Sequence, residues 1–380
     1  MKILIVFHTP SNAGYAMKSL EKTFFDVALK ITGHQDDIYF AFKQYQGEQI
    51  KSLPLSFKNI FELDPERLLN KHYKEGIFKF LKKQQFDLAL CFDLQVSGDL
   101  VSLLRKGNVK KIISYWGSTI SSLNSGFKLF LKRVQVFFTI QKPDLFIFES
   151  EAMRYHAING RGIPFKDTIV IPTGVDIKKF KPVKAKSRDL LNLINIPKES
   201  LVAIYTGHME ERKGVHVLIL AMMALLDTYK NNKWHLIICG NRPGEENKFK
   251  EMLLNHPAKK NITFCGYRDD LADLMPQCDI GLIGSTGWDS FPMSALEMAS
   301  CGLPLVVSNL QGLSETIEQQ STGILFQPGN SHELATILND LSSQPKRLQE
   351  FSKNARKRVT SKYSLSIQKD KLELSFRSLT

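Results

Sequence analysis

Short apolar runs alternate with longer amphipathic stretches along the whole chain, and this alternation limits the possible fold more than any other feature. The pattern is typical of β-α units that build parallel sheets covered by helices. The strands predicted in the first half are Lys2–Phe7, Ile38–Phe42, Phe86–Phe92, Lys111–Trp116 and Leu145–Phe148. Those predicted in the second half are Val202–Thr206, His235–Cys239, Ile262–Cys265, Ile280–Ile283, Leu305–Ser308 and Gly323–Phe326. The sequence therefore predicts an α/β protein with doubly wound parallel sheets.

The length of 380 residues exceeds what one hydrophobic core usually organises, so we expect two domains. A polar run, 184–188, separates two ordered-looking segments and marks the predicted join. The predicted domains are 1–183 and 184–362, with a C-terminal helix, 363–380, that packs back on the first domain. In such a protein we expect substrates to bind in the cleft between the carboxyl ends of the two sheets.

The positive charge is concentrated in the first half of the chain. Residues 1–183 carry 27 Lys and Arg against 17 Asp and Glu, whereas residues 184–380 carry 24 against 21. This asymmetry is expected if the first domain faces something anionic, although a Lys-rich surface that only aids solubility is the alternative.

The N-terminal sequence and the cysteines together predict a cytoplasmic protein. Met1–Phe7 leads straight into a strand without the features of a signal peptide, and no apolar run is long enough to span a bilayer. The five cysteines are scattered and form no C-x-x-C pair, which indicates buried, reduced thiols. Any membrane contact is expected to be peripheral.

A basic amphipathic helix is predicted within residues 124–142. Apolar and basic side chains recur there at helical spacing, namely Phe127, Phe130, Leu131, Val134 and Phe138 beside Lys128, Lys132 and Arg133. Such a helix either faces a protein core or lies on an anionic membrane leaflet, at the inner face of the cell membrane, as a lipid-linked acceptor would require.

Two carboxylates bracket a predicted helix N-terminus after the buried strand Ile280–Ile283. Asp289 lies just before the helix and Glu297 lies inside it, with Ser290 as the expected cap and Pro292 in the first turn. This arrangement suits a bound diphosphate, with the carboxylates accepting hydrogen bonds from sugar hydroxyls. Because proline has no N–H, Met293 and Ser294 would donate to the phosphates. An ordinary helix capped by Asp289 is the alternative.

Several motifs in the same order resemble family 4 glycosyltransferases, over nearly the whole chain. Asp289, Phe291 and Glu297 match the family's E-x-F-G-x-x-x-x-E pattern, with Asp at the first position. The segments 171–182 and 207–214 are similar to its P-N-G-V-D-x-x-x-F-x-P linker and its G-R-L-x-x-x-K-G turn. The resemblance implies a GT-B fold, in which two Rossmann-like domains face a central cleft, and transfer from a nucleotide sugar with retention of anomeric configuration.

The resemblance also implies roles for residues of the second domain. Lys213 would bind the donor phosphates and stabilise the leaving nucleoside diphosphate, Glu297 the ribose hydroxyls and Asp289 the transferred sugar, and these three are the predicted catalytic residues. We expect Lys213 and Glu297 to line an open cleft. The further predicted donor-binding residues are His208, where the family usually has Arg, Arg212, Arg268, Phe291, Met293 and Ser294. A surface ion pair with Asp269 or Asp270 is the alternative for Arg268.

The first domain departs further from the family. Thr9–Gly14 resembles the family's Gly-Gly loop next to the donor phosphates, with only Gly14 retained. Asn12, Trp116 and Ser118 are the predicted acceptor-binding residues, and Trp116 stands where many relatives have His. Because an indole cannot act as a base, stacking on a sugar ring and simple core packing are the two interpretations of Trp116.

The predicted reaction is front-face transfer of a hexose-type sugar to a glycan or lipid-linked acceptor, in the assembly of bacterial surface polysaccharide or lipopolysaccharide. No D-x-D triplet occurs, so we expect no divalent metal and no cofactor beyond the sugar donor. A nicotinamide or flavin oxidoreductase would need a G-x-G-x-x-G motif, which is missing. The sequence also contains no recognised nucleic-acid motif, and we expect no nucleic-acid partner. The alternatives are an inactive or binding-only protein of the same fold and a protein whose basic surface binds nucleic acid.

Overall fold

The computed structural model describes residues 1–118, 123–183 and 188–379. These residues form two compact units, the first from Met1–Pro172 with Ser366–Thr380, the second from Thr173–Leu365. The sequence predicted the join at 183, later in the chain. Residues 173–183 belong to the second unit because their backbone is bonded there: the Ser300 hydroxyl donates to the Phe180 carbonyl oxygen at 2.6 Å, and the Val175 N–H donates to the Tyr363 carbonyl oxygen at 2.9 Å.

The first unit contains a seven-stranded parallel sheet in the order β3-β2-β1-β4-β5-β6-β7. Its strands are β1 Ile3–Pro10, β2 Ile38–Gln44, β3 Ile60–Glu62, β4 Leu88–Phe92, β5 Lys111–Trp116, β6 Leu145–Phe148 and β7 Thr168–Val170. Its helices are α1 Tyr15–Thr32, α2 Lys71–Gln84, α3 Asp99–Lys106, α4 Gly126–Phe138 and α5 Glu151–Arg161. All five strands predicted for this half are present, whereas β3 and β7 were not predicted.

The second unit contains a six-stranded parallel sheet in the order β10-β9-β8-β11-β12-β13. Its strands are β8 Leu201–Thr206, β9 Trp234–Cys239, β10 Ile262–Phe264, β11 Ile280–Ile283, β12 Leu305–Ser308 and β13 Gly323–Phe326. The helices are α6 Asp189–Leu193, α7 Val215–Tyr229, α8 Asn247–Met252, α9 Leu271–Leu274, α10 Met293–Ser300, α11 Gln311–Ser314, α12 Ser331–Leu341 and α13 Pro345–Lys362. Each strand corresponds to a predicted run, so the predicted class of two doubly wound parallel-sheet domains is confirmed.

Each sheet has a core on both faces, because alternate residues of its strands point in opposite directions. In β1, Ile3, Ile5 and Phe7 join one hydrophobic cluster, whereas Leu4 and Val6 join another on the opposite face. The sheet of the second unit is covered in the same way. Strands buried on both faces are continuous apolar runs, which is why the sequence reveals them so clearly.

The last helix, α14 Leu365–Leu379, packs on the first unit, as expected for a C-terminal helix that returns to that domain. Leu372 and Phe376 are completely buried in the cluster that contains α1. At the helix surface, Lys369 Nζ lies 2.7 Å from Asp26 Oδ2, which adds an ion pair between α14 and α1. The chain thus enters the second unit at Thr173 and returns to the first after Leu365.

Candidate functional site

The segment that carries Lys213 is held against the segment after β11 by backbone contacts. The Thr286 and Gly287 N–H groups donate to the Arg212 carbonyl oxygen at 2.8 and 3.2 Å. Gly214 has a φ of +66°, and a Cβ at this position would lie only 1.7 Å from the Gly284 carbonyl oxygen. Only glycine permits this approach. The position of Lys213 is therefore determined by the close packing of two loops at the carboxyl edge of the sheet.

Lys213 and Asp289 form a tight ion pair at this edge. Lys213 Nζ lies 3.1 Å from Asp289 Oδ1 and 3.0 Å from Oδ2, and the Ser285 hydroxyl donates to Oδ2 at 2.8 Å. The side chains of Lys213 and Asp289 are only 17% and 7% exposed. Low solvent exposure strengthens the electrostatic attraction between the two side chains, and the pair holds the Lys213 ammonium group in a fixed position. Two of the three predicted catalytic residues thus lie in direct contact.

Glu297, the third predicted catalytic residue, lies on the second turn of α10. Glu297 is 5% exposed, as is Asp289. Lys213 is partly exposed and Glu297 is buried, so Glu297 is less accessible than expected, and the position of both side chains along a cleft stays a prediction. The short helix packs against the core of the second unit over most of its surface.

The N-terminus of α10 differs in detail from the predicted cap. The N-cap residue is Pro292, not Ser290, and it makes no side-chain capping bond. Met293 and Ser294 are then the first two helical residues, so their N–H groups have no acceptor within the helix and can donate to a ligand. The Phe291 side chain is buried and packs against Tyr363, with ring centroids 5.3 Å apart. Any donor contact of Phe291 would come from its backbone.

The other predicted donor-binding cations are engaged within the protein. Arg212 Nε lies 2.7 Å from Glu210 Oε2, and Arg212 Nη1 donates to the Trp288 carbonyl oxygen at 3.0 Å. Arg268 pairs with Asp270 through Nε at 2.7 Å, as the alternative interpretation of this residue proposed. Neither guanidinium group is directed to the Lys213–Asp289 pair by these contacts. Both help instead to order the loops around it.

His208 is exposed, and its backbone has a structural role. The buried Tyr205 hydroxyl donates to the His208 carbonyl oxygen at 2.7 Å. Burial, together with the negative charge of Asp289, raises the pKa of Tyr205. The phenol therefore remains protonated and keeps its hydrogen bond to the loop that leads to Lys213.

In the first unit, Asn12 and Gly14 shape the turn after β1. The Asn12 side chain donates to the Gln49 carbonyl oxygen at 3.1 Å and accepts from the Lys51 N–H at 3.0 Å. Each end of its amide thus fastens a neighbouring loop and keeps one further hydrogen-bonding position, so the predicted acceptor contact stays a prediction. Gly14 has a φ of +122° and open space where a Cβ would stand. Its predicted role at the donor phosphates stays a prediction.

Ser118 and Trp116 lie at the carboxyl end of β5. The Gly117 and Ser118 N–H groups donate to Asp93 Oδ1 at 2.9 and 3.1 Å. Burial raises the pKa of Asp93, and His8 Nε2 lies 3.9 Å from its other carboxylate oxygen. Trp116 is 4% exposed and packs against Phe148, so core packing describes its ring better than stacking on a sugar.

The sequence analysis missed three features of these sites. Ser285 supports Asp289, the glycines at 284 and 287 permit the close contact with the Lys213 loop, and Asp93 organises the end of β5. The Gly-Ser-Thr-Gly run at 284–287 was a usable signal, because small residues directly after a buried strand often permit close backbone packing. The His8–Asp93 proximity had no local signal, since the two residues are 85 positions apart.

No helix in the described part of the chain combines the length and apolar character needed to cross a membrane. Within residues 1–118, 123–183 and 188–379, no cluster of three or more His, Cys, Asp or Glu side chains could hold a metal ion.

Comparison with known proteins agrees with this architecture. The family described as "Glycosyl transferases group 1" matches residues 188–358, which include Lys213, Asp289 and Glu297. The YtcC protein of Bacillus subtilis (strain 168) is 24% identical over 331 residues, which cover 82% of this chain and 77% of YtcC. The structure of Alr3699/HepE of Anabaena in complex with UDP superposes with a TM-score of 0.79 at 21% identity and covers 100% of both chains. HepE is also known with bound UDP-glucose.

A further relative is the UDP-Gal:alpha-D-GlcNAc-diphosphoundecaprenol alpha-1,3-galactosyltransferase of Escherichia coli. It is 24% identical over 210 residues, and the match spans 54% of this chain but only 52% of that enzyme. The matching family, the relatives and the two parallel-sheet units agree with one another. The second unit therefore carries a domain of the glycosyl transferases group 1 family, and the chain has the GT-B fold.

Proposed function

We propose that the protein transfers a hexose-type sugar from a nucleoside-diphosphate sugar to a glycan or lipid-linked acceptor, with retention of anomeric configuration. The observation that carries this proposal is the ion pair between Lys213 and Asp289, with a shortest distance of 3.0 Å, just before the N-terminus of α10. A fixed ammonium group beside free helical N–H groups suits a diphosphate, because both stabilise negative charge. The nucleotide sugars named for HepE and for the Escherichia coli relative support this donor class.

Each residue of the second unit has a distinct part in the proposed site. Lys213 and the N–H groups of Met293 and Ser294 would hold the diphosphate. Glu297 would accept hydrogen bonds from the ribose, and Asp289 would accept from the transferred sugar while it keeps Lys213 in place. A carboxylate has about four acceptor positions, so Asp289 can serve both Lys213 and a sugar hydroxyl.

The proposed reaction is a front-face displacement that needs neither a protein base nor a divalent metal. The bond between the anomeric carbon and the leaving phosphate oxygen breaks, and the acceptor oxygen forms its bond on the same face. The proton of the acceptor hydroxyl passes to the leaving phosphate. Lys213 is positioned to stabilise the negative charge that develops on that phosphate, which is the usual contribution of a preorganised cation.

A thermal-shift screen against uridine, guanosine and adenosine diphosphate sugars tests the donor class. One of them should raise the melting temperature by at least about 5 °C at 100 times its Kd, because a ligand that binds only the folded state stabilises it by mass action. Turnover of that donor should be unchanged in excess EDTA. Stabilisation by none of the three classes would contradict the proposed donor, and turnover that requires added Mg²⁺ would contradict a metal-independent reaction.

For the acceptor, we propose a lipid-linked glycan of bacterial surface polysaccharide assembly, reached from the inner face of the cell membrane. Helix α4 supports this part of the proposal. Most of its apolar side chains are exposed, with Val136 buried as the exception: Phe127 is 73% exposed, Phe130 59%, Phe137 75% and Phe138 72%. The helix and the segment around it, 100–143, contain no Asp or Glu, while Lys128, Lys132 and Arg133 lie among the apolar residues.

This charge pattern favours an anionic lipid surface as the partner of α4. Basic side chains near such a surface contribute about 1 kcal/mol each, and apolar side chains insert at the boundary of headgroups and acyl chains. A helix of 13 residues, Gly126–Phe138, is long enough to lie in the interface and too short to span it. We therefore propose that α4 docks the first unit on the membrane that carries the acceptor.

Vesicle binding tests the docking of α4. The double substitution Phe127→Ser and Phe137→Ser should weaken binding to phosphatidylglycerol vesicles at least about tenfold, because each phenylalanine contributes about 1 kcal/mol or more on burial. Leu69→Ser, at a residue of the same unit that is 87% exposed, is the matched control and should leave binding unchanged. Equal binding of the double variant and wild type would contradict the proposal. The proposal would also be contradicted if the protein formed a concentration-dependent dimer that the double substitution abolishes. In that case α4 would bind a second copy of the chain.

A further inference from the structure

The first unit contains a cavity of about 170 Å³ beside α4. Its polar lining consists of Trp116, Lys132, Arg161, Gln95 and Ser97, and two aliphatic side chains complete it. Lys132 comes from α4 itself, Arg161 from the end of α5 and Trp116 from the end of β5. Three elements thus bring two cations and an indole to one partly open cavity. Lys132 Nζ also donates to Gln135 Oε1 at 3.0 Å.

Two hydrogen-bond donors in this lining lack an acceptor. Among the residues that the structure describes, no partner lies within hydrogen-bond distance of Trp116 Nε1 or Arg161 Nε, and both atoms are buried. Trp116 as a whole is 4% exposed. Buried donors are almost always satisfied, so these two indicate a ligand that accepts from them. The role of Trp116 would then be donation from its indole nitrogen rather than stacking on a sugar.

Among the residues that line the cavity, two carry positive charge and none carries a carboxylate. Two acidic residues lie near Gln95 and Ser97 in sequence, and both make contacts elsewhere, although Asp93 Oδ2 has no hydrogen-bond partner in the described part of the chain and lies 3.9 Å from His8 Nε2. Asp93 accepts from the backbone of 117–118, and Asp99 Oδ1 lies 2.7 Å from Lys74 Nζ. The volume corresponds to about five water molecules, which is enough space for a phosphoryl group. An anion with several acceptor oxygens fits this cavity best.

We propose that this cavity binds the phosphoryl group, a phosphate or diphosphate, that links the acceptor sugar to its lipid. The inference rests on the proposed function, since it deepens the identity of the acceptor. Lys132 lies on the helix whose exposed phenylalanines would enter the membrane, so the cavity would open near the headgroup level, where a lipid-linked phosphate lies. The acceptor would be positioned by Lys132, Arg161 and the Trp116 N–H, and the sugar would extend beyond them.

Titration of the full chain with inorganic pyrophosphate, followed by calorimetry, tests the cavity. Lys132→Gln and Arg161→Gln should each weaken binding at least about tenfold, because each removes a charge-assisted hydrogen bond. Trp116→Phe keeps the aromatic ring and removes the N–H, and should weaken binding about fivefold. Lys128→Gln is the matched control: it makes the same charge change one turn earlier on α4, outside the cavity lining, and should alter affinity less than about twofold.

Equal effects of Lys132→Gln and Lys128→Gln would overturn the proposal, because they would show a general charge effect rather than a site. Because the proposed donor site of the second unit would bind pyrophosphate as well, the same substitutions are repeated in the Lys213→Ala background. No effect of Lys132→Gln on the pyrophosphate binding that remains there would also overturn the proposal.

A second pair of titrations distinguishes the sources of the phosphate. Neutral vesicles that carry an isoprenoid diphosphate should bind Lys132→Gln more weakly than Lys128→Gln, whereas phosphatidylglycerol vesicles should not separate the two variants. If the two variants differ only in their binding to phosphatidylglycerol vesicles, the cavity binds an ordinary lipid headgroup and the acceptor assignment is overturned. The proposed function is tested independently of the cavity. It would fail if no nucleotide sugar raised the melting temperature of the wild-type protein.

Discussion

Lys213→Ala is expected to lower kcat by about 100- to 1,000-fold, the usual effect of removing one preorganised group that stabilises a leaving charge. Lys213 Nζ lies 3.0 Å from Asp289 Oδ2, and Asp289 precedes the first residue of α10 by four positions. Without it, the leaving phosphate would lose the nearest cation held in a fixed position. Steady-state kinetics with saturating donor measure this effect directly.

The same substitution should also destabilise the second unit, because Asp289 is 5% exposed and would lose its cationic partner. Removing one partner of a buried pair costs about 3–5 kcal/mol, reduced here by the hydrogen bond from Ser285. The double variant with Asp289→Asn should recover stability in thermal unfolding, whereas kcat of Lys213→Ala should stay low at temperatures at which this variant is fully folded. This pair of results separates a loss of chemistry from a loss of fold.

Lys248→Ala is the matched control for the loss of a lysine. Lys248 Nζ donates to the Met209 carbonyl oxygen at 3.3 Å, on the same loop as Lys213. We expect kcat of this variant within about twofold of wild type, because Lys248 interacts with the backbone of the loop and not with Asp289. Wild-type kcat in Lys213→Ala, or an equal loss in both variants, would remove Lys213 from the proposed mechanism.

Gly214→Ala is expected to have the largest effect on stability. The residue has a φ of +66°, and a Cβ would lie 1.7 Å from the Gly284 carbonyl oxygen, so the two loops must move apart. We expect a loss of at least about 3 kcal/mol, from left-handed strain together with the overpacking. Thermal and urea unfolding measure this loss, and turnover should fall as well because Lys213 is the adjacent residue.

Gly266→Ala provides a control with the same backbone conformation. Gly266 has a φ of +67° but no atom within 4 Å of its Cβ position, so only the conformational cost remains, about 1–2 kcal/mol. The difference between the two variants therefore isolates the close approach of the Lys213 loop to 284–287. Equal destabilisation would show that the contact has no energetic importance.

The central strands were predictable because parallel strands buried on both faces are unbroken apolar runs, as in β4 and β11. The edge strands β3 and β7 were not predicted. Each has three residues, most of them only half-buried, so neither leaves a distinct apolar run. Residues 173–183 were assigned to the wrong side of the join for a related reason. Their contacts are backbone hydrogen bonds to distant residues, and these leave no periodic pattern.

At the site, the spacing of Asp289 and Glu297 was predictable because the two residues lie close in sequence, one just before a short helix and the other inside it. The contact between Lys213 and Asp289 could not be predicted from the sequence, because 76 residues separate them and the contacts of the glycines bring them together. Arg212 and Arg268 are the opposite case. The sequence predicted that both bind the nucleotide-sugar donor, but each forms an ion pair with a carboxylate two residues away.

The fold of two parallel-sheet units and the match of residues 188–358 to the glycosyl transferases group 1 family follow from the sequence, because strand patterns and motifs are local properties of the chain. The three-dimensional arrangement was needed to show that Lys213 binds Asp289, that Trp116 borders a cationic cavity and that the face of α4 is exposed. These properties depend on which distant segments meet. Such long-range contacts result from the packing of the whole domain, and they cannot be predicted from any local stretch of sequence.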